Sequence, residues 1–171
     1  AALVGAYLQG AHLNNANLQN ADLTSAKLGD PVGSNAAMLM NANLQGANLF
    51  RANLCNAELR EANLGNAVLS FADLRGASLF RANLAGVVCN DALLIGANLR
   101  EANLAGADLR NSHLNDANLI KANLSGANLE GMHNQSFTVL NLANLEGANL
   151  TGARLHCVSA EDASFKHANL T

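Results

Sequence analysis

The chain is 171 residues long and carries a net charge of −3. Its 13 acidic side chains outnumber the 10 basic ones, so it lacks the basic surface that binds nucleic-acid phosphates, and we expect no nucleic-acid partner. Half of its residues are hydrophobic, but no apolar run approaches the roughly 18 residues of a transmembrane helix, so we expect no membrane insertion.

The chain is a series of five-residue units, each with Ala, then usually Asn or Asp, then Leu and two variable residues. Regular units run over residues 3–28, a first bulge interrupts them at 29–36, and units resume over 39–129. A second bulge follows at 130–138, and units return over 140–170. We therefore expect a single domain over residues 1–171. Because repeat rods normally carry capping segments, we also expect a fragment without its caps or flanking domains.

The period of five excludes both regular secondary structures. An α-helix advances about 100° per residue, so leucines one unit apart would spread around its surface. A straight strand would send successive leucines to opposite faces, because its side-chain period is two. The chain must therefore turn in every unit, and four corners of about 90° close a square coil of about 20 residues. Residues one coil apart then lie roughly 4.8 Å from each other.

The stretch from Ala97 to Glu130, ANLREANLAGADLRNSHLNDANLIKANLSGANLE, shows the unit most clearly. It resembles the pentapeptide-repeat family, and the likeness covers essentially the whole chain. The resemblance implies an all-β protein, a right-handed quadrilateral β-helix in which each Leu, and the Ala two residues before it, fill the interior. Asn at the second position of the unit is expected to hydrogen-bond to corner backbone groups, as Asn does in turns.

The two bulges set the register of the coil. The interval from Leu28 to Leu39 is one residue longer than two units, and so is the interval from Leu129 to Leu140. We interpret each interval as two units plus one inserted residue. This gives about 34 units and about 8.5 coils, and five full coils between the bulges. Both bulges are therefore predicted to leave the same edge of the rod, about 24 Å apart.

Large apolar side chains occupy water-facing positions in the middle of the chain. They fall on the side that contains Leu49 and on the next side, which contains Leu54. The members of this predicted partner or self-association surface are Phe50, Val68, Phe71 and Val88 on the first side, and Leu93 and Ile95 on the second. The alternative is that these side chains stack one coil apart and stabilise the rod without any partner.

Charges of alternating sign follow one another at intervals of four units on the side that contains Leu59. This charge ladder consists of Glu61, Arg81, Glu101 and Lys121. We interpret it as keeping the register between coils and the protein in solution, because exposed ion pairs contribute little individually. The side that contains Leu44 is uncharged and lined by small corner residues, which suits either a flat partner or simply tight corners.

Few residues are candidates for chemistry. His113 and His133 are one coil apart with Asp116 nearby, but the next position in their column is assigned to Arg154, whose charge opposes a metal site. No nucleophile and base, and no pair of carboxylates, can be placed in a concave site, so we expect no enzyme, cofactor or small-molecule substrate. Three cysteines without CxxC spacing predict three free thiols, Cys55 and Cys157 lying on one side too far apart to pair.

The function expected from these observations is a non-enzymatic scaffold that binds a protein partner or a copy of itself. Some proteins that resemble this family inhibit DNA gyrase by imitating DNA, which gives an alternative. A dense acidic surface would be required for that. A second alternative is the spacer module of a larger protein, for example one with a BTB-type domain. A cytoplasmic location is favoured, with the chloroplast or thylakoid lumen as the alternative that the family resemblance raises.

Overall fold

The computed structural model describes residues 1–131 and 137–171. The chain winds as a right-handed quadrilateral β-helix, in which residues on successive coils pair in parallel. We number the four faces in the order in which the chain passes through them. In one central coil, Val68 marks face 1, Asp73 face 2, Ser78 face 3 and Asn83 face 4, and each pairs with the residue four units further along the chain. The predicted fold class is confirmed.

Regular strands are short because the chain turns after every three extended residues. Two strands of two residues each are present in the described chain, β1 at Thr138–Val139 and β2 at Val158–Ser159. They pair in parallel, with Thr138 opposite Val158. Elsewhere on the described coils each face contributes a single bridging residue per coil. The rod is therefore held together by the regular stacking of many small contacts.

Leucine and alanine fill the interior, as predicted. In the central coils the inward side chains are 0–2% exposed, and Leu79 and Ala77 are both fully buried. One unit differs: Val87 and Cys89 take the places of Ala and Leu, and both are 1% exposed. The larger Val offsets the smaller Cys, so the interior volume is nearly conserved. Burial raises the pKa of the Cys89 thiol to about 12, which keeps it protonated at neutral pH.

The corners are made by a repeated hydrogen-bonding pattern. At the corner between faces 4 and 1, Asn63 Oδ1 accepts the backbone N–H of Gly65 at 3.1 Å, and Asn66 adopts a left-handed backbone with φ of 56°. The N–H of Ala67 then donates to the carbonyl of Leu64 at 3.0 Å. The expectation that Asn bonds the corner backbone is confirmed. Corners of units without Asn or Asp are closed by the backbone bond alone, as where the N–H of Ala72 donates to the carbonyl of Leu69 at 3.0 Å.

The predicted positions of the bulges are wrong. His12 pairs with Met38, and His113 pairs with Val139, so each coil that contains a bulge is longer than a regular coil by six inserted residues. At each bulge the chain therefore advances by one face only, and the six extra residues lie between the two units. The first bulge leaves the corner between faces 2 and 3, and the second leaves the neighbouring corner between faces 1 and 2. The count of 34 units is too high by two, because each face carries eight rows.

The first bulge is organised by one carboxylate. Asp30 Oδ1 accepts the N–H groups of Val32 and Gly33 at 3.2 and 3.0 Å, and Oδ2 accepts that of Asn35 at 3.2 Å. Asn56 Nδ2 donates to the carbonyl of Asp30 at 3.0 Å and ties the bulge to the next coil. One carboxylate thus accepts three backbone N–H groups of the loop, in which Val32 is 96% exposed.

The second bulge diverts the chain after Glu130, and a buried side chain compensates for the change. One coil earlier in the column of Asn111, the N–H of Asp91 donates to the backbone carbonyl of Arg110 on the next coil. The N–H of Asn111 instead donates to Thr138 Oγ1 at 2.9 Å. Thr138 is fully buried and its hydroxyl donates onward to the carbonyl of Leu109 at 3.2 Å. A threonine therefore replaces the usual alanine where the chain re-enters the coil.

We expect Thr138→Val to destabilise the protein by about 1–2 kcal/mol, because the same shape is kept while the N–H of Asn111 loses its oxygen acceptor. The free energy of unfolding by guanidinium measures the effect. Ser112→Ala is the matched control, since Ser112 Oγ donates at 2.6 Å to the same Leu109 carbonyl and leaves no donor unpaired when removed. Equal losses for the two variants would contradict the role assigned to Thr138.

Candidate functional site

The predicted apolar surface lies mainly at one corner and one face. Val68 and Val88 pair on face 1, and Phe50 and Phe71 lie at the adjoining corner between faces 1 and 2. Phe71 is 49% exposed and Val88 is 37% exposed. We call Phe50, Val68, Phe71 and Val88 the apolar corner. It brings large hydrophobic groups from three successive coils onto one continuous strip of surface.

The other two predicted members are less central. Leu93 lies on face 2, half-buried between Asp73 and His113 in its column. Ile95 lies beyond it, at the corner between faces 2 and 3. The sequence therefore placed all six residues on the correct sides, but only four of them form the apolar corner.

The two phenylalanines contact each other across one coil. Their ring centroids are 5.7 Å apart with an interplanar angle of 77°, an edge-to-face arrangement. The guanidinium of Arg51 lies 5.1 Å from the centre of the Phe50 ring and 5.8 Å from that of Phe71. Stacking between coils is thus present, as the alternative interpretation expected. It does not cover Phe71, of which about half remains in contact with solvent.

The backbone at Phe71 is unusual for a bulky residue. Its φ is 60°, in the left-handed region that glycine and asparagine adopt most readily. The next coils of the same column carry Asp91 and Asn111 at this position. A large apolar side chain is therefore held here at some conformational cost, and it gains only partial burial in return.

The charge ladder occupies a single column at the corner between faces 3 and 4. Arg81 Nε lies 2.7 Å from Glu101 Oε2, and Arg100 Nε lies 3.4 Å from the other oxygen of Glu101. The hydrogen bond from Arg81 lowers the pKa of the Glu101 carboxyl. Glu61 and Lys121 extend the column without joining an ion pair in the described part of the chain. Its role in keeping the register stays a prediction.

Face 4, the uncharged side predicted from the Leu44 column, is a ladder of asparagines. Asn83 Nδ2 donates to Asn63 Oδ1 at 2.9 Å, and Asn103 and Asn123 repeat the contact at 3.2 and 3.1 Å. The outward column reads Asn17, Asn43, Asn63, Asn83, Asn103, Asn123, Asn149 and Asn169. Each of the central side chains thus supports both its own corner and the next coil. Docking of a flat partner on this face stays a prediction.

The structure also contains an open groove that the filled interior did not suggest. It measures about 360 Å³ and lies between the first bulge and face 3. Its lining includes His12, Asn35, Met38 and Glu58. The Glu58 carboxylate lies 3.1 Å from Arg60 Nε, a contact without hydrogen-bond geometry. Sequence analysis missed the groove because the size of the first bulge was underestimated.

The weak metal candidate is not assembled. His113 pairs with Val139, and Arg154 lies on face 1, so the predicted column of His113, His133 and Arg154 is wrong. His133 itself lies outside the described residues. Among the described residues no group of three or more His, Cys, Asp or Glu side chains is placed to hold a metal ion.

The cysteines, all of which the structure describes, form no disulfide. Cys55 lies at the corner between faces 2 and 3, where burial raises the pKa of its thiol. Cys157 lies at the corner between faces 1 and 2. The expectation that Cys55 and Cys157 share one side is therefore wrong, for the same reason as the bulge positions.

Within residues 1–131 and 137–171, no helix is long and apolar enough to cross a membrane.

Comparison with known proteins identifies the repeat. A family model described as pentapeptide repeats matches the chain in 8 copies, over residues 1–30, 37–76, 47–86, 72–107, 92–131 and 136–171. Among curated protein sequences, none matches.

Several solved structures are similar to the chain. HetL, a pentapeptide repeat protein involved in heterocyst differentiation regulation from the cyanobacterium Nostoc sp. strain PCC 7120, is 31% identical, with 98% of this chain and 84% of HetL covered and a TM-score of 0.32. Rfr23 from the cyanobacterium Cyanothece 51142 is 32% identical, with 77% and 68% covered and a TM-score of 0.35. QnrB1, a plasmid-mediated fluoroquinolone resistance protein, is 17% identical, with 85% and 77% covered and a TM-score of 0.40. These TM-scores are low, and the description of the fold rests on the bridges between coils given above.

Proposed function

Because the chain belongs to the pentapeptide-repeat family, we propose that it is a non-enzymatic protein-interaction scaffold, a rod that presents the apolar corner to a protein partner. The observation that carries this proposal is the grouping of Phe50, Arg51 and a half-exposed Phe71 at one corner. Interfaces are enriched in aromatic residues with arginine beside them, and Phe50, Arg51 and Phe71 form such a group.

The rod suits this function because it holds the apolar corner rigidly. Val68 and Val88 are fixed by backbone bridges on face 1, and the Phe50 ring is held against Phe71. A partner would therefore meet side chains that lose little conformational freedom on binding. The interior beneath the apolar corner is filled by buried leucine and alanine side chains, so the corner offers an outer surface suited to a protein partner.

DNA mimicry is not supported by the distribution of charge. Five carboxylates, those of Glu58, Asp73, Glu101, Asp108 and Glu130, lie within 4.0 Å of arginine side chains. Their charges are largely compensated locally, and the charge ladder alternates in sign. Such a surface does not reproduce the continuous negative charge of a phosphate backbone.

We expect Phe71→Glu to leave the fold intact and to weaken binding of the protein partner at least about tenfold, because a charge replaces the central apolar group. Affinity capture from the source cells, quantified by mass spectrometry, measures the loss, and circular dichroism checks the fold. Leu142→Glu is a matched control, because Leu142 is 59% exposed and adopts φ of 61° at a corner outside the apolar corner. Equal capture by both variants and the unmodified protein would refute the proposal.

A further inference from the structure

At the corner between faces 1 and 2, two opposite charges flank Phe71 at equal distances along the rod. Arg51 lies one coil before Phe71 in the same column, and Asp91 lies one coil after it. All three adopt nearly the same left-handed backbone, with φ of 56°, 60° and 57°. The column therefore presents a cation, an exposed aromatic ring and an anion, spaced about 4.8 Å apart along the rod.

Both charges are available to a partner. Neither Arg51 nor Asp91 has an oppositely charged group within 4.0 Å in the described part of the chain. Arg51 instead lies over the two aromatic rings, and Asp91 accepts a hydrogen bond from Asn90 Nδ2 at 2.8 Å. Arg110 interacts electrostatically with Asp91, but its guanidinium is engaged by both oxygens of Asp108 at 2.8 and 2.6 Å.

We propose that the apolar corner binds a second copy of this chain, with the two rods antiparallel about a twofold axis that passes beside Phe71. Such an axis places Phe71 of each copy against that of the other and brings Arg51 of each copy to Asp91 of the other. A twofold interface requires this self-complementarity of a single surface. Parallel packing would instead place Arg51 against Arg51 and Asp91 against Asp91, which like-charge repulsion disfavours.

Face 1 extends the contact beside the corner. In the antiparallel arrangement Val68 of one copy lies next to Val68 of the other, and Val88 faces Asn48. Apolar groups thus occupy the centre of the interface, with Arg51 and Asp91 at its margin, the usual distribution in protein interfaces. This inference rests on the proposed function and names the partner.

The test uses two single charge reversals, Arg51→Asp and Asp91→Arg. Each position exchanges a residue for one that the same column already holds in the same backbone conformation, so both variants are expected to fold. Each variant alone places like charges at both ends of the interface, and its dimer dissociation constant should rise at least about tenfold. An equimolar mixture of the two should restore the dimer, because every charged pair across the interface is again opposite.

Sedimentation equilibrium over roughly 1 µM to 1 mM measures the dissociation constants, and native mass spectrometry separates the mixed dimer from either self-dimer by mass. Lys121→Asp is the control, because Lys121 has φ of 57° at a different corner and takes part in no ion pair of the described chain. It should dimerise like the unmodified protein.

A protein that stays monomeric at the highest concentration overturns the inference, as do charge-reversal variants that dimerise unchanged or a mixture that does not form the mixed dimer. The proposed function would survive each of these results if Phe71→Glu still lost its captured partner.

Discussion

Leu94→Ala is expected to lower the free energy of unfolding by about 2–5 kcal/mol, because it leaves a cavity in the centre of the rod. Leu94 is 2% exposed and stands in the inward column of face 2 between Leu74 and Leu114, both fully buried. In a rod only the two neighbouring coils contact the cavity, so few side chains can move to fill it. Guanidinium unfolding followed by circular dichroism measures the loss.

Leu93→Ala provides the control at the neighbouring residue. Leu93 has the same side chain but points outward on face 2, where it is half-buried. Its loss removes cross-strand contacts only and should cost at most about 1 kcal/mol. Comparable losses at the two positions would contradict the alternation of inward and outward side chains on which the fold depends.

Gly29→Ala is expected to destabilise the protein by about 3 kcal/mol, because there is no space for a side chain where the first bulge begins. A Cβ at Gly29 would overlap the backbone nitrogen and carbonyl oxygen of Cys55 and the amide oxygen of Asn53. The N–H groups of Leu28 and Gly29 both donate to the carbonyl of Asn53 at 2.8 Å, which holds the chain tightly against the next coil. Thermal and guanidinium unfolding measure the change.

Gly65→Ala is the control for this substitution. Gly65 follows an inward Leu in the same way, but a Cβ there would lie 3.2 Å from Asn83 Nδ2 and 3.3 Å from Asn63 Oδ1, both side-chain atoms. The next two coils of its column already contain Ala85 and Ala105. We expect a change within about 0.5 kcal/mol. A similar loss at both glycines would show that the bulge imposes no special constraint.

The interior of the rod was predictable because a period of five admits few structures. Once a helix and a straight strand are excluded, the chain must turn in every unit. The side chains of Leu and of the Ala two residues before it then point to the same side, the interior of the coil. The structure confirms this at Leu79 and Ala77, and even at the unusual pair of Val87 and Cys89. The prediction needed no knowledge of side-chain contacts, only of backbone geometry.

The bulges were mispredicted because the interval between Leu28 and Leu39 permits two solutions. It can be two units with one extra residue or one unit with six, and local sequence does not distinguish them. Residues that pair between neighbouring coils do distinguish the two solutions. Asn17 pairs with Asn43, and Asn123 pairs with Asn149, and only the longer coil that these pairs require makes face 4 a continuous asparagine column. The preference of neighbouring asparagines for one another across coils would have decided the register.

The apolar corner was located from the sequence because residues 39–129 contain no interruption. Its exposure was not predictable, since the edge-to-face contact of Phe50 with Phe71 depends on side-chain rotamers. The relation of Arg51 to Asp91 was also missed. These residues are two coils apart with Phe71 between them, so adjacent positions of the column show no charge pattern.

The alternating charges at the corner between faces 3 and 4 are expected to affect how such a rod can change its length during evolution. Removing one regular coil would leave the asparagine column of face 4 continuous, but it would bring Glu61 next to Glu101. Removing two coils would preserve both columns, since Glu61 would then adjoin Lys121. In this part of the molecule, we therefore expect gain or loss by genetic duplication or deletion to be tolerated best in steps of two coils.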